Sequence, residues 1–223
     1  MSIKLHYIEK GSGFPLLLLH GNGEDHTYFV HQIEYFSKTR RVIAIDTRGH
    51  GLSPRGEAPF TLSQFSLDLK DFLDSQNLKD IVLLGFSDGA NIALHFALKN
   101  QDYLKALILN GGNLNPRGVK RSVQLPIEIG YFFAKLFKNH KKRELYSLMV
   151  NEPDFKESEL SAIHVPTLVI AGTNDMIKQS CTQKIHSFIK SSTLKIIKGD
   201  HFIANKNSDE FNGEVKCFLD GVK

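Results

Sequence analysis

Short, continuous apolar runs alternate along this chain with longer stretches whose apolar residues recur every three or four positions. Residues 15–19, 41–45, 80–86 and 104–109 are apolar runs of strand length, as expected of strands buried on both faces of a sheet. Residues 166–171 and 193–197 read as two further strands, and residues 4–9 show the alternation of an edge strand or hairpin. Helical spacing fills the intervals. It covers residues 27–36, with Phe29, Ile33 and Phe36 on one face, and 61–76, with Leu62, Phe65, Leu69, Phe72 and Leu73. It returns over 88–100, 177–190 and 210–219. Strand alternating with helix predicts an α/β fold built on a mostly parallel sheet flanked by helices.

The rhythm breaks after Asn110-Gly111-Gly112. From about residue 113 to 164 the chain reads as an insertion of short helices before the strand at 166–171. It carries an aromatic stripe, Tyr131, Phe132, Phe133, Leu136 and Phe137, expected to pack on the core, with lining of a pocket by part of it as the alternative. The basic run Lys138-Asn139-His140-Lys141-Lys142-Arg143 reads as a solvated face.

Composition narrows the classes. The 223 residues suit one domain, 1–223, with one core. A net charge of +4, spread along the chain, gives no ground for nucleic-acid binding. No run of 18 apolar residues and no signal-type leader is present, so neither a membrane partner nor export is expected and cytoplasm is the default. Cys181 and Cys217 lack metal or CxxC spacing and are expected to be buried, reduced thiols.

The candidate chemistry lies where predicted strands end. The apolar run Ile81 to Leu84 leads into Gly85-Phe86-Ser87-Asp88-Gly89, and a helix follows. This is Gly-x-Ser-x-Gly in the strand-turn-helix setting of a nucleophile elbow. A serine hydroxyl needs a base, and a histidine base needs a carboxylate to fix its tautomer. Asp175 and His201 follow Ser87 in that order, each just past a predicted strand. Asp200 competes with Asp175 as the acid, but adjacent side chains in an extended loop point apart. Two backbone N–H groups are candidates for an oxyanion hole: that of Asp88, and that of Asn22 in His20-Gly21-Asn22-Gly23. Asp46 to Pro54 reads as a structural turn in which Arg48 and His50 brace neighbouring loops.

Taken together, His20-Gly21-Asn22-Gly23, Asp46-x-Arg48-Gly49-His50-Gly51-x-Ser53, Gly85-Phe86-Ser87-Asp88-Gly89, Gly172-x-x-Asp175 and Gly199-Asp200-His201-Phe202 resemble the α/β-hydrolase superfamily over nearly the whole chain. The resemblance implies Ser87 as nucleophile, His201 as base and Asp175 as acid, with Asn22 and Asp88 offering the oxyanion donors. It implies that residues 113–164 form a short helical cap. It needs no metal or organic cofactor, and the expected partner is a small-molecule ester or related acyl substrate, bound by a monomer or homodimer. The expected reaction is ester cleavage through an acyl-enzyme. The same triad also serves C–C hydrolysis, lyase, thioesterase or acyl-transfer chemistry, and a ligand receptor with vestigial activity is a further alternative. The elbow is similar to that of some esterases acting on small amino-acid or aromatic esters.

Overall fold

The computed structural model describes residues 3–222; residues 1, 2 and 223, at the ends of the expected domain, lie outside the described residues. The strands are β1 (Tyr7–Lys10), β2 (Pro15–Leu19), β3 (Arg41–Ile45), β4 (Ile81–Phe86), β5 (Leu104–Asn110), β6 (Thr167–Gly172) and β7 (Ser192–Ile197). They form one sheet in the order β1-β3-β2-β4-β5-β6-β7. β1 is the antiparallel edge against β3, and every other pair is parallel.

The period-2 geometry of a strand divides each apolar run between two cores. Leu17, Leu19, Ile43, Leu83, Leu107 and Val169 face one core, while Leu16, Leu18, Val42, Leu84, Ile108 and Ile170 face the other. The first core is closed by α2 (Leu62–Ser75), α3 (Asp88–Ala97) and α7 (Gln179–Phe188). The second is closed by α1 (Val30–Phe36), α8 (Ile203–Lys206) and α9 (Ser208–Asp220). Two-sided burial explains the unbroken apolar runs, each buried Leu or Ile contributing about 1.5–3 kcal/mol. Parallel register pairs Leu19 with Gly85 and Ile45, Gly85 with Leu109, and Gly172 with Ile197, so the strands' carboxyl ends open onto one edge of the sheet.

Between β5 and β6 stand α4 (Arg121–Leu136), α5 (His140–Asn151) and α6 (Glu157–Leu160). The aromatic stripe of α4 departs from expectation. Phe132, Phe133, Leu136 and Phe137 are exposed rather than packed on the core. The reason is that α4 lies on α5, not on the sheet. Its inward side consists of Gln124, whose Nε2 donates to the Met149 carbonyl (3.3 Å), of Ala134, and of Gly130, where a Cβ would meet the Tyr146 ring.

Smaller differences also have local causes. The stretch 27–36 begins as a 3-10 turn capped by the Asp25 side chain before α1. The expected edge strand at 4–9 pairs over Tyr7–Lys10 instead. Both cysteines are free, and Cys181 is buried as expected, its Sγ accepting from the Leu114 N–H at 3.3 Å. Cys217, expected to be buried, is exposed on α9, whose core side is taken by Phe211, Val215 and Leu219.

Candidate active site

Ser87 occupies the turn from β4 into α3 with φ 55 and ψ −120, a conformation few non-glycine residues adopt. The turn is held from both sides. The Ser87 N–H donates to the Asn110 carbonyl at the end of β5 (2.8 Å), and the Ser87 carbonyl accepts from Ala90 and Asn91. The flanking glycines are required by contact: a Cβ on Gly85 would run into the Gly89 carbonyl, and one on Gly89 into the Leu19 carbonyl. The strain is therefore imposed by packing that leaves the chain no wider path.

The Ser87 hydroxyl lies 3.0 Å from His201 Nε2, and His201 Nδ1 lies 2.7 Å from Asp175 Oδ1. Asp175 and His201 are both buried. Asp175 Oδ1 also accepts the Ile177 N–H at 2.8 Å, which fixes the carboxylate in the loop after β6. A carboxylate can only accept, so Nδ1 carries the proton toward Asp175 and Nε2 is left as the acceptor for the Ser87 hydroxyl. Asp200 points away. It accepts the Phe202 N–H and pairs with Lys206, whose ammonium, through that hydrogen bond, holds the Asp200 carboxyl below its ordinary value.

The His201 ring is walled by Phe86, at 4.9 Å between centroids, and Phe86 stacks on Tyr28 at 4.2 Å. Gly111, just past β5, supplies the other wall; it sits at φ 67 with no room for a Cβ beside the imidazole. Neither Phe86 nor Gly111 is singled out by the sequence. A Gly-Gly pair after a strand reads as a turn, and only the fold brings it against His201.

The oxyanion candidates lie on the same edge. Asp88 is the first residue of α3, so its N–H has no acceptor within the helix. In the loop after β2, the Gly21 N–H is taken by Glu24 Oε2 (3.1 Å). Among the described residues the Asn22 N–H meets no protein acceptor. The Asn22 side chain reaches away from the loop, its Nδ2 donating to the Leu145 carbonyl of α5 at 2.8 Å. His20, the strand-ending histidine, is structural: Nδ1 donates to the Gly21 carbonyl (2.7 Å) and Nε2 accepts the Thr47 N–H (3.0 Å). Burial pulls its pKa down to about 4, so it is neutral at pH 7.

The Asp88 carboxyl is an unusual neighbour for the hydroxyl. Oδ1 accepts weakly from Asn91 (3.3 Å), and Oδ2 is buried with no partner among the described residues. Burial pushes its pKa up to about 6, reinforced by the negative charge of Glu152.

The turn after β3 braces its surroundings through Arg48, as its sequence suggests, but not through His50, whose Nδ1 bonds, among the described residues, only to Thr47 and the Arg48 carbonyl of the same turn. Arg48 is fully buried and makes a bidentate pair with Asp68 of α2, at 2.7 and 2.5 Å. Asp46 is a hub that the sequence does not reveal. Oδ1 accepts the N–H and Nδ1–H of His26; Oδ2 accepts Nδ1–H of His6 and the N–H of Leu52. His6 and His26 come from separate segments with no spacing signal. These bonds outweigh burial and hold the Asp46 carboxyl below the usual carboxylate range.

Residues 15–127 match the sequence model of a family described as alpha/beta hydrolase fold. In an alignment of 242 positions the chain is 27% identical to "Serine hydrolase BPHL" of Mus musculus, over 97% of this chain and 83% of that protein. It is also 27% identical, over 247 positions, to the (E)-2-((N-methylformamido)methylene)succinate hydrolase of Acinetobacter baylyi, spanning 96% of this chain and 94% of that one. A thermophilic esterase from Thermogutta terrifontis, solved with malate bound, superposes with a TM-score of 0.81 over 99% of this chain and 94% of its own, at 23% identity. That likeness is one of fold.

Proposed function

Because this chain belongs to the alpha/beta hydrolase fold family, we propose that it is a serine hydrolase acting on small to medium carboxylic esters through an acyl-enzyme. The observation that carries the reading is the continuous line from Ser87 Oγ to His201 Nε2 (3.0 Å) and from His201 Nδ1 to Asp175 (2.7 Å), at the carboxyl edge of a parallel sheet. The relative named a serine hydrolase supports it.

The steps follow from the atoms. Ser87 Oγ attacks the ester carbonyl carbon as its proton passes to His201 Nε2, and Asp175 steadies the imidazolium so formed. The carbonyl oxygen becomes an oxyanion facing the N–H groups of Asn22 and Asp88, each worth about 3 kcal/mol in such a site. Collapse breaks the ester C–O bond, and His201 returns the proton to the leaving alkoxide. Water then repeats the sequence on the acyl-Ser87 bond, releasing the acid and restoring the hydroxyl.

Residues 113–164 act as the cap in this reading. Three polar ties join α5 and the residue after it to the loop after β2, to the segment following β3 and to the start of α2. Asn22 donates to the Leu145 carbonyl, Arg55 pairs with Glu144 through two bonds, and the Leu62 N–H donates to Glu152 (2.8 Å). The cap therefore bounds the substrate from the side opposite the sheet.

The test is turnover of p-nitrophenyl esters from acetate to decanoate by the wild type and Ser87→Ala, together with labelling by a fluorophosphonate. Ester turnover and labelling that both vanish in the variant support the proposal. Labelling of Ser87 without turnover of any ester would keep the nucleophile and reject the ester class.

A further inference from the structure

Among the described residues, eleven large hydrophobic side chains stand exposed, and six of them belong to α4 and the residue that ends it. Leu125, Ile129, Phe132, Phe133, Leu136 and Phe137 recur at helical steps and form one stripe along the outer face. The exposure is substantial, 62% for Phe132 and 74% for Phe137. The Phe133 and Phe137 rings lie nearly parallel, 6.1 Å between centroids. The helix's other side is already used against α5. A contiguous apolar face of this kind marks an interaction surface.

The charge beside the stripe identifies the partner. Lys135, Lys138, Lys141, Lys142 and Arg143 are all exposed, and residues 129–143 contain no Asp or Glu. The two flanking acids are occupied: Glu128 pairs with Arg121 at 2.7 Å and Glu144 with Arg55. Four of these cations adjoin the six apolar side chains along the chain with no free carboxylate between them, while Lys141 turns to the cleft it shares with Gly49, Arg55 and Phe60. We propose that this face of α4 and the start of α5 docks peripherally on an anionic lipid bilayer. The Phe, Leu and Ile side chains enter the boundary between headgroups and acyl chains while the cations meet lipid phosphates.

Other occupants fit less well. A second copy on the same stripe would cover the apolar side chains but bring the cations no free carboxylate, since residues 129–143 hold none and Glu128 is already paired. A nucleic acid would leave the phenylalanines facing its solvated backbone. The surface mode also agrees with helix length, since no described helix is long and apolar enough to cross a membrane. The sequence expectation of no membrane partner rested on the lack of a spanning segment, and a docked helix needs none. The inference stands on the outer surface of the insertion and is independent of the hydrolase reading.

The experiment is flotation of the full chain with vesicles of phosphatidylcholine alone or with phosphatidylglycerol, at low and high ionic strength. The wild type should float with the anionic vesicles, lose that binding in high salt and ignore the neutral ones. Phe132→Ser/Phe137→Ser should weaken binding at least about tenfold, as should Lys138→Glu/Lys142→Glu. Both pairs are exposed, so melting curves should match the wild type. No flotation with anionic vesicles, or flotation unchanged in both variants, would overturn the proposal. So would sedimentation showing a stable wild-type dimer that Phe132→Ser/Phe137→Ser dissociates, because a second copy would then cover the stripe.

Discussion

Gly111 lies so close to His201 that a Cβ there would stand 2.6 Å from Cε1 and 2.9 Å from Nδ1 of the imidazole. The glycine also holds φ 67, where an L side chain is strained. The loop after β5 is thus a wall that sets the ring between Ser87 and Asp175. Gly111→Ala should push the imidazole off line and lower kcat by about 10- to 100-fold. The strained φ should cost about 1 kcal/mol of stability. Steady-state kinetics with thermal unfolding would check both; an unchanged kcat would mean the ring has room to spare.

Asp88 gives a pH signature. Its folded-state pKa, pushed up to about 6 by burial, lies above the ordinary carboxylate value, so the folded state favours the protonated form. The stability this gives is complete below the ordinary value near pH 4 and is lost as pH rises through about 6. Asp88→Asn removes that dependence. Relative to wild type, the variant should gain about 1–2 kcal/mol between pH 4 and pH 7.5, after allowance for the solvent reaching this partly exposed residue. Melting temperatures across that range are the measurement, and parallel curves would remove the buried-carboxyl account.

Asn22 joins the candidate oxyanion loop to α5 through its side chain, while its backbone N–H stays available for chemistry. Asn22→Ala keeps the N–H and breaks the tie to Leu145. The expected result is a rise in KM of about three- to tenfold, the worth of one hydrogen bond, with a smaller fall in kcat. If kcat alone falls, the side chain serves the loop and not the seating of α5.

Arg48 and Asp68 form a pair with both partners out of solvent. Arg48→Ala leaves Asp68 uncompensated and should cost about 3–5 kcal/mol. Arg48→Ala/Asp68→Ala should cost less than the sum of the two single changes. Urea denaturation of the three variants tests this.

What could be read from the sequence follows from the range of the interactions. The strands from β2 to β6 were legible because two-sided burial writes itself as continuous apolar runs. Ser87 and Asp175 could be placed because each follows such a run, and His201 because it follows the last predicted strand, so their meeting at one sheet edge is a matter of topology. Arg48 could be read as a brace, yet its partner Asp68 could not, since nothing local in α2 marks one carboxylate among several. The meeting of His6, His26 and Asp46 was invisible for the same reason. The α4 stripe was legible as a stripe but not in its direction. Periodicity says that one face is apolar, and what lies against that face depends on α5 filling the inner side.

Ser87 as the nucleophile is tested most directly by covalent labelling followed by peptide mass spectrometry. The purified chain would be treated with a fluorophosphonate, and the modified residue mapped in wild type, Ser87→Ala and His201→Ala. The expected result is a single adduct on Ser87 in the wild type, none in Ser87→Ala, and labelling slowed by at least about 1000-fold in His201→Ala. A wild type that stays unlabelled, or an adduct that persists in Ser87→Ala, would contradict it.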